Sequence, residues 1–153
     1  MAERSAGIVL YKRTAEGIRV LAVHPGGPFW RNKDDGAWSI PKGEYGPDED
    51  PFVAACREFQ EELGSDLPSG PAIDLGEIRQ AAGKLVTAWA VEGDLDVSSV
   101  SCNEFEIEWP PRSGQLQSFP EVDRAEWFDL DEAAVRLNRA QVPFLERLAH
   151  HLA

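Results

Sequence analysis

The sequence predicts an α/β domain of the α+β type, in which sheet-forming segments are accompanied by three helical stretches. Three observations lead there. Short β-rich runs separated by turn residues recur along the chain. One central segment carries helix start and stop signals, and the C-terminal stretch spaces its apolar residues as a helix does. At 153 residues the chain suits one domain, 1–153, long enough to bury a real core.

The elements follow in order. "AGIVLYKR" (6–13) and "IRVLAVH" (18–24) are rich in β-branched and aliphatic residues and are separated by "TAEG", a hairpin turn around Gly17. A long Gly/Pro/Asp-rich loop, "PGGPFWRNKDDGA" (25–37), leads into "WSIPKG" (38–43), and loops of that length in small domains are more often functional than filler. After the central helix, turn residues "GSDLPSGP" precede "IDLGEIRQ" (73–80) and "LVTAWAVEG" (85–93), a second hairpin joined at "AAGK". "NEFEIEW" (103–109) alternates as a strand, "PPRSGQLQSFPEVD" (110–123) reads as another long loop, and "RAEWFDL" (124–130) as a last short strand. "DEAAVRLN" opens with an acidic first turn, and "QVPFLERLAHHLA" places Val142, Leu145, Leu148 and Leu152 at helical spacing. Trp109 and Trp127 read as core residues.

Composition excludes several functions. A formal net charge of −12 repels phosphate-rich surfaces, so no nucleic acid and no anionic membrane is expected as a partner, and any phosphate substrate needs local cations. No apolar run is long enough to span a bilayer, and "MAERSAGIVLYKR" lacks the order of a secretory signal. A cytoplasmic monomer or homodimer is expected. Cys56 and Cys102 are too few for a disulfide framework or zinc site, which leaves two reduced thiols, Cys56 in the core.

The central helix can be argued residue by residue. Asp50 is a good N-cap, and Pro51 fits the first helical position, where its absent N–H is not missed. Phe52, Ala55, Cys56, Phe59 and Leu63 fall on one apolar stripe, and Gly64 supplies the stop. Glu58 and Glu62 then project to nearly the same azimuth beside that stripe, with Glu61 further round. Stability does not explain this crowding, because like charges at i,i+4 repel and a helix C-terminus prefers cations. Arg57 is too little to neutralise three carboxylates. Clustered carboxylates without a Cys or His partner suit a hard divalent cation, Mg²⁺ or Mn²⁺, that keeps several waters; the competing reading is a solvated acidic face.

Spacing adds to this. Gly43, five residues, Glu49, seven residues, then Arg57-Glu58-Phe59-Gln60-Glu61-Glu62-Leu63-Gly64 closely resembles the signature of the Nudix hydrolase family. Ser65 departs from it, standing where the family prefers an aliphatic packing residue. The resemblance implies a mixed sheet sandwiched between helices, with the signature as a loop-helix-loop, and Mg²⁺-dependent hydrolysis of a pyrophosphate bond in a small-molecule nucleotide polyphosphate. It implies Glu58 and Glu62 as metal ligands, Glu61 as a further or water-mediated one, and the Lys42 backbone carbonyl facing a metal. Arg57 would orient the carboxylates, and Glu49 would act through a structural hydrogen bond or in a supporting role. The resemblance also implies a further ligand or the base from a later loop, and Glu121 in "FPEVDRAEW" fits best, with Glu104, Glu106 and Asp123 as rivals.

Substrate contacts are expected from Arg31, Lys33 and Lys42 toward phosphates, since only local cations offset the overall charge. Phe29, Trp30 and Trp38 are candidates for stacking on a base. His24 reads either as a phosphate contact or as a hydrogen-bonding turn residue. "WSIPKGE" resembles the lead-in of the diadenosine-polyphosphate-cleaving branch, which points to diadenosine tetraphosphate as substrate; nucleoside triphosphates, oxidised ones included, and ADP-ribose or nucleotide sugars are the alternatives. A noncatalytic nucleotide-binding regulatory domain on the same fold would more naturally have lost one of Glu58, Glu61 or Glu62. A diphosphate isomerase would call for additional Cys and His ligands.

Overall fold

A computed structural model describes residues 3–153. The first hairpin pairs β1 (Arg4–Thr14) with β2 (Gly17–Pro25), and Thr14 Oγ1 closes the turn by donating to the Gly17 carbonyl at 2.8 Å. β1 lies at the heart of a six-stranded mixed sheet. It runs parallel to β5 (Leu85–Glu92) along most of its length, and β5 pairs antiparallel with β4 (Ala72–Arg79). β2 pairs antiparallel with β8 (Val122–Asp129), which gives the order β4-β5-β1-β2-β8.

The other edge of β1 is divided. Tyr11–Thr14 pairs with β2, whereas Ser5–Gly7 pairs antiparallel with the short β3 (Lys42–Glu44). Gly7 permits this approach, since a Cβ there would sit 2.8 Å from both Lys42 Cβ and the Pro41 carbonyl oxygen. The split brings the start of the signature segment against the middle of the sheet.

Both faces of the sheet are covered, so β1 is buried almost continuously and shows no polar alternation. Ala6, Ile8 and Leu10 share a core with Ala54, Ala55, Phe59 and Leu63 of α1 (Pro51–Leu63). Val9 and Tyr11, on the opposite face, share a second core with Ala133 of α2 (Leu130–Arg136) and Phe144, Leu145 and Leu148 of α3 (Val142–Leu152). The expected mixed sheet between helices is the architecture found. No helix among the described residues is long and apolar enough to cross a membrane.

Several expectations are corrected. The segment 110–123 is not a plain loop: β6 (Glu104–Glu108) and β7 (Leu116–Pro120) form a separate antiparallel ribbon beside the main sheet. Trp109, at the end of β6, is only half-buried and meets Phe29 edge-to-face at 5.6 Å, outside both cores. Trp127 is half-buried and packs on the α1 side, its indole N–H donating to the Leu95 carbonyl at 3.2 Å. Cys56 also lies at the margin of its core, half-buried, while Ala54 is fully buried.

Candidate active site

The helix that carries the carboxylates is fixed at both ends as its sequence requires. Asp50 accepts from the Val53 N–H at 3.1 Å, Pro51 opens the first turn, and Gly64 closes α1 in the left-handed conformation with its N–H on the Gln60 carbonyl at 2.7 Å. Gly64 also has no room for a side chain, because a Cβ would lie 2.4 Å from the Ser101 carbonyl oxygen.

β3 crosses directly over Glu58 and Glu62. A Cβ on Gly43 would fall 2.0 Å from the Glu58 carboxyl carbon, so the glycine is what lets that carboxylate lie against the strand backbone. The Lys42 N–H donates to Glu62 Oε1 at 3.3 Å. Arg57 gathers the rest. Its Nε and Nη2 bind the two Glu49 oxygens at 2.9 and 3.0 Å, and Nη1 reaches Glu58 Oε1 at 2.8 Å and both Glu61 oxygens at 3.3 Å. Such a forked pairing fixes geometry as well as charge. It holds Glu49 below the usual carboxylate range and raises Arg57 itself.

Glu58 and Glu62 behave oppositely to Glu49. Burial pushes Glu58 up in spite of the hydrogen bond from Arg57. Burial pushes Glu62 up to about 8 in spite of the Lys42 ammonium, with the charges of Glu58 and Glu121 adding to the rise. Lys42, enclosed beside Glu62, is lowered by its own burial. The protein's own cations therefore leave these two carboxylates short of compensation. Glu61, nearer solvent, is held by Arg57.

Glu121 is the single residue between β7 and β8. Its N–H donates to the Asn103 carbonyl and its carbonyl accepts from the Gly26 N–H, both at 3.0 Å, and its exposed carboxylate adds its field to Glu58 and Glu62. Glu104 and Glu106 lie along the ribbon, and Asp123 accepts from His24 at 2.8 Å. Among the described residues no three His, Cys, Asp or Glu side chains close into a metal cage.

The substrate-contact candidates separate. Phe29, Arg31 and Lys33 are exposed on the loop after β2, and Arg31 lines a cavity of about 190 Å³ with Gly27, Phe119, Pro120 and Asp123. Trp30 is exposed with them, the Lys33 ammonium lying 5.1 Å over its ring. Trp38 is not available to a base. It is fully buried, edge-to-face with His24 and Phe128, under the Arg124 guanidinium, and its indole N–H donates to Asp34 at 2.8 Å. His24 is a buried hydrogen-bonding residue rather than an exposed phosphate contact. The contact of Trp109 with Phe29 has no local signal in the sequence, since the alternation of "NEFEIEW" marks the strand but not what its last residue meets.

Similarity to known proteins agrees with this architecture. A family model described as NUDIX domain matches residues 1–148. The RNA pyrophosphohydrolase of Gluconacetobacter diazotrophicus is 38% identical over 66 residues, 41% of this chain and 37% of that protein, so the match spans well under half of that relative's length. A C. elegans Ap4A hydrolase, solved as a binary complex, superposes with a TM-score of 0.69 at 21% identity, covering 97% of each chain. The NUDIX domain of Shewanella oneidensis NrtR, complexed with ADP ribose, superposes with a TM-score of 0.68 at 16% identity over 100% of this chain and 90% of that one. With its signature glutamates set against β3 under a glycine that admits them, and a family match over nearly its whole length, this chain belongs to the Nudix family.

Proposed function

We propose that the protein is a Mg²⁺- or Mn²⁺-dependent pyrophosphohydrolase of nucleoside polyphosphates, with diadenosine tetraphosphate, cleaved to ATP and AMP, as its preferred substrate. The observation that carries this reading is the pair Glu58 and Glu62, desolvated side by side and raised despite Arg57 and Lys42. A divalent cation is the compensation such a pair lacks. The donor set is all oxygen, which suits Mg²⁺, an ion that keeps part of its water shell and takes other oxygens from substrate phosphates.

Glu58 and Glu62 would hold the ion, joined by Glu61 through water, by the Lys42 carbonyl, and by Glu121 where it serves as a ligand. When bound, the ion neutralises phosphate charge and polarises the phosphoryl group, the main need of this chemistry. Arg57 stays with Glu49, Glu58 and Glu61 and keeps the carboxylates in register without touching substrate. Glu121, exposed at the β7–β8 junction and near enough for its charge to act on Glu58 and Glu62, takes the proton from the attacking water as the water oxygen bonds to phosphorus and the bridging P–O bond breaks. Arg31, Lys33 and Lys42 supply positive charge to the phosphate chain, and Phe29, braced by Trp109, offers an aromatic face to a base.

The Trp38-Ser39-Ile40-Pro41-Lys42-Gly43 lead-in and the fold shared with the C. elegans Ap4A hydrolase support the choice of substrate. The ADP-ribose complex of the NrtR domain makes ADP-ribose the second candidate. The test is kcat/KM at fixed Mg²⁺ across dinucleoside polyphosphates, nucleoside triphosphates, nucleotide sugars and ADP-ribose, with an EDTA control. Preference for diadenosine tetraphosphate and silence in EDTA are expected. Equal turnover of a plain triphosphate removes the substrate assignment, and undiminished turnover in EDTA removes the cation.

A further inference from the structure

His24 is buried to 1% exposure at the end of β2, and both its ring nitrogens are engaged. Nδ1 lies 2.8 Å from Asp123 Oδ1 and Nε2 lies 2.6 Å from the Lys33 carbonyl oxygen. A carbonyl oxygen only accepts, so Nε2 donates to Lys33, and Nδ1 lies within hydrogen-bond distance of the Asp123 carboxylate. The two partners belong to different parts of the candidate site. Lys33 ends the turn that presents Phe29, Trp30 and Arg31, its N–H bonded to the Trp30 carbonyl at 2.9 Å. Asp123 stands two residues after Glu121 on β8 and lines the same cavity as Arg31.

The near end of the loop is fastened at the same place. The Gly26 N–H donates to the Glu121 carbonyl, and a Cβ on Gly26 would lie 1.9 Å from the Pro120 carbonyl oxygen. The loop is therefore held at both ends against the β7–β8 junction that bears Glu121. We propose that His24 is a positioning residue: through Asp123 and the Lys33 carbonyl it clamps the 26–33 loop to that junction, so that the cations of the loop grip the substrate phosphates in register with Glu121. The kinetic part of this inference rests on the pyrophosphohydrolase reading above; the structural part does not.

Asp123, whose side chain is 31% exposed, is the place to test it, because its replacement is less disruptive than that of a buried histidine. Asp123→Ala should raise KM for diadenosine tetraphosphate by about tenfold, the order of one hydrogen bond to a charged group, with kcat changed less than about threefold. Asp123→Asn, which keeps a hydrogen-bonding side chain opposite Nδ1, should restore most of the loss. In an Arg31→Ala background Asp123→Ala should add little, since both act through the same loop. One measurement is independent of turnover. Asp123→Ala should speed amide exchange at 26–33 and at Glu121 while leaving α1 unchanged. Unchanged exchange in the loop overturns the clamp even where no activity is found. Additive effects of Arg31→Ala and Asp123→Ala overturn its role in substrate binding while leaving the hydrolase assignment in place.

Discussion

Replacing Glu62 with Gln should make the cation-free protein more stable. Burial moves the Glu62 carboxyl from 4.5 to about 8, so the folded chain binds a proton more tightly than the unfolded one does. An acid raised in this way costs nothing below pH 4.5, and its penalty grows as pH climbs toward 8 and is complete above it. Converted through the linkage relation, the penalty is roughly 3 kcal/mol at pH 7 and roughly 5 kcal/mol above pH 8. Gln removes it and still offers an oxygen to the Lys42 N–H, which now bonds Glu62 Oε1 at 3.3 Å. The assay is thermal and urea unfolding of both proteins in EDTA at pH 5, 7 and 8.5. The variant should gain about 6–12 °C in Tm at pH 7, for a chain of this size, and the gap should shrink to about a quarter of that at pH 5. Millimolar Mg²⁺ should then stabilise the wild type, by mass action on the folded state, and leave the variant almost unmoved. A variant less stable than wild type at pH 8.5 in EDTA, or a gap independent of pH, would refute the reasoning.

Two further outcomes follow from the geometry. Gly43→Ala puts a methyl group 2.0 Å from the Glu58 carboxyl carbon, so Glu58 must swing away; kcat/KM should fall about a hundredfold, as displaced catalytic groups generally cost, while Tm shifts by only a few degrees, and a fully active variant would show that Glu58 need not lie there. Glu121→Gln should lower kcat by about 10²-fold or more with KM within about threefold, because it acts on the chemical step; a silent Glu121→Gln beside an impaired Glu104→Gln would move the base onto β6.

How much of this was legible in the sequence depended on how local each signal is. The helix was legible because Asp50, Pro51 and Gly64 each act within a turn of their own position, and all three do in the structure what their chemistry suggests. β7 was not legible. Leu116, Gln117 and Ser118 are all exposed, so no buried face imposes an alternation on the sequence. Cys56 lies outside the core because the buried face of α1 runs through Ala54, Ala55, Phe59 and Leu63, and periodicity alone does not say which position flanking the stripe is covered. Trp38 departs from expectation for a related reason. A tryptophan beside a Gly/Pro/Asp-rich loop looks free to stack, but its burial depends on Phe128, 90 residues away, and on an indole partner supplied by Asp34.

The site divides along the same line. Its carboxylates announce themselves because they violate a stability rule within a single helix: Glu58, Glu61 and Glu62 repel one another and have no basic residue in the last turn. Only the fold shows that the violation is unequal. Arg57 spends its five donors on Glu49, Glu58, Glu61 and the Glu44 carbonyl, and so satisfies the more exposed carboxylates while Glu58 and Glu62 remain raised under β3. That inequality requires β3 to lie on α1, which requires glycine at 43 and again at 7, where the strand presses on β1. A glycine in a sequence says only that a side chain is absent. The structure shows that at these two positions the missing side chains let β3 lie against β1 and against the Glu58 carboxylate, and that Glu58 and Glu62 are raised by burial beneath it.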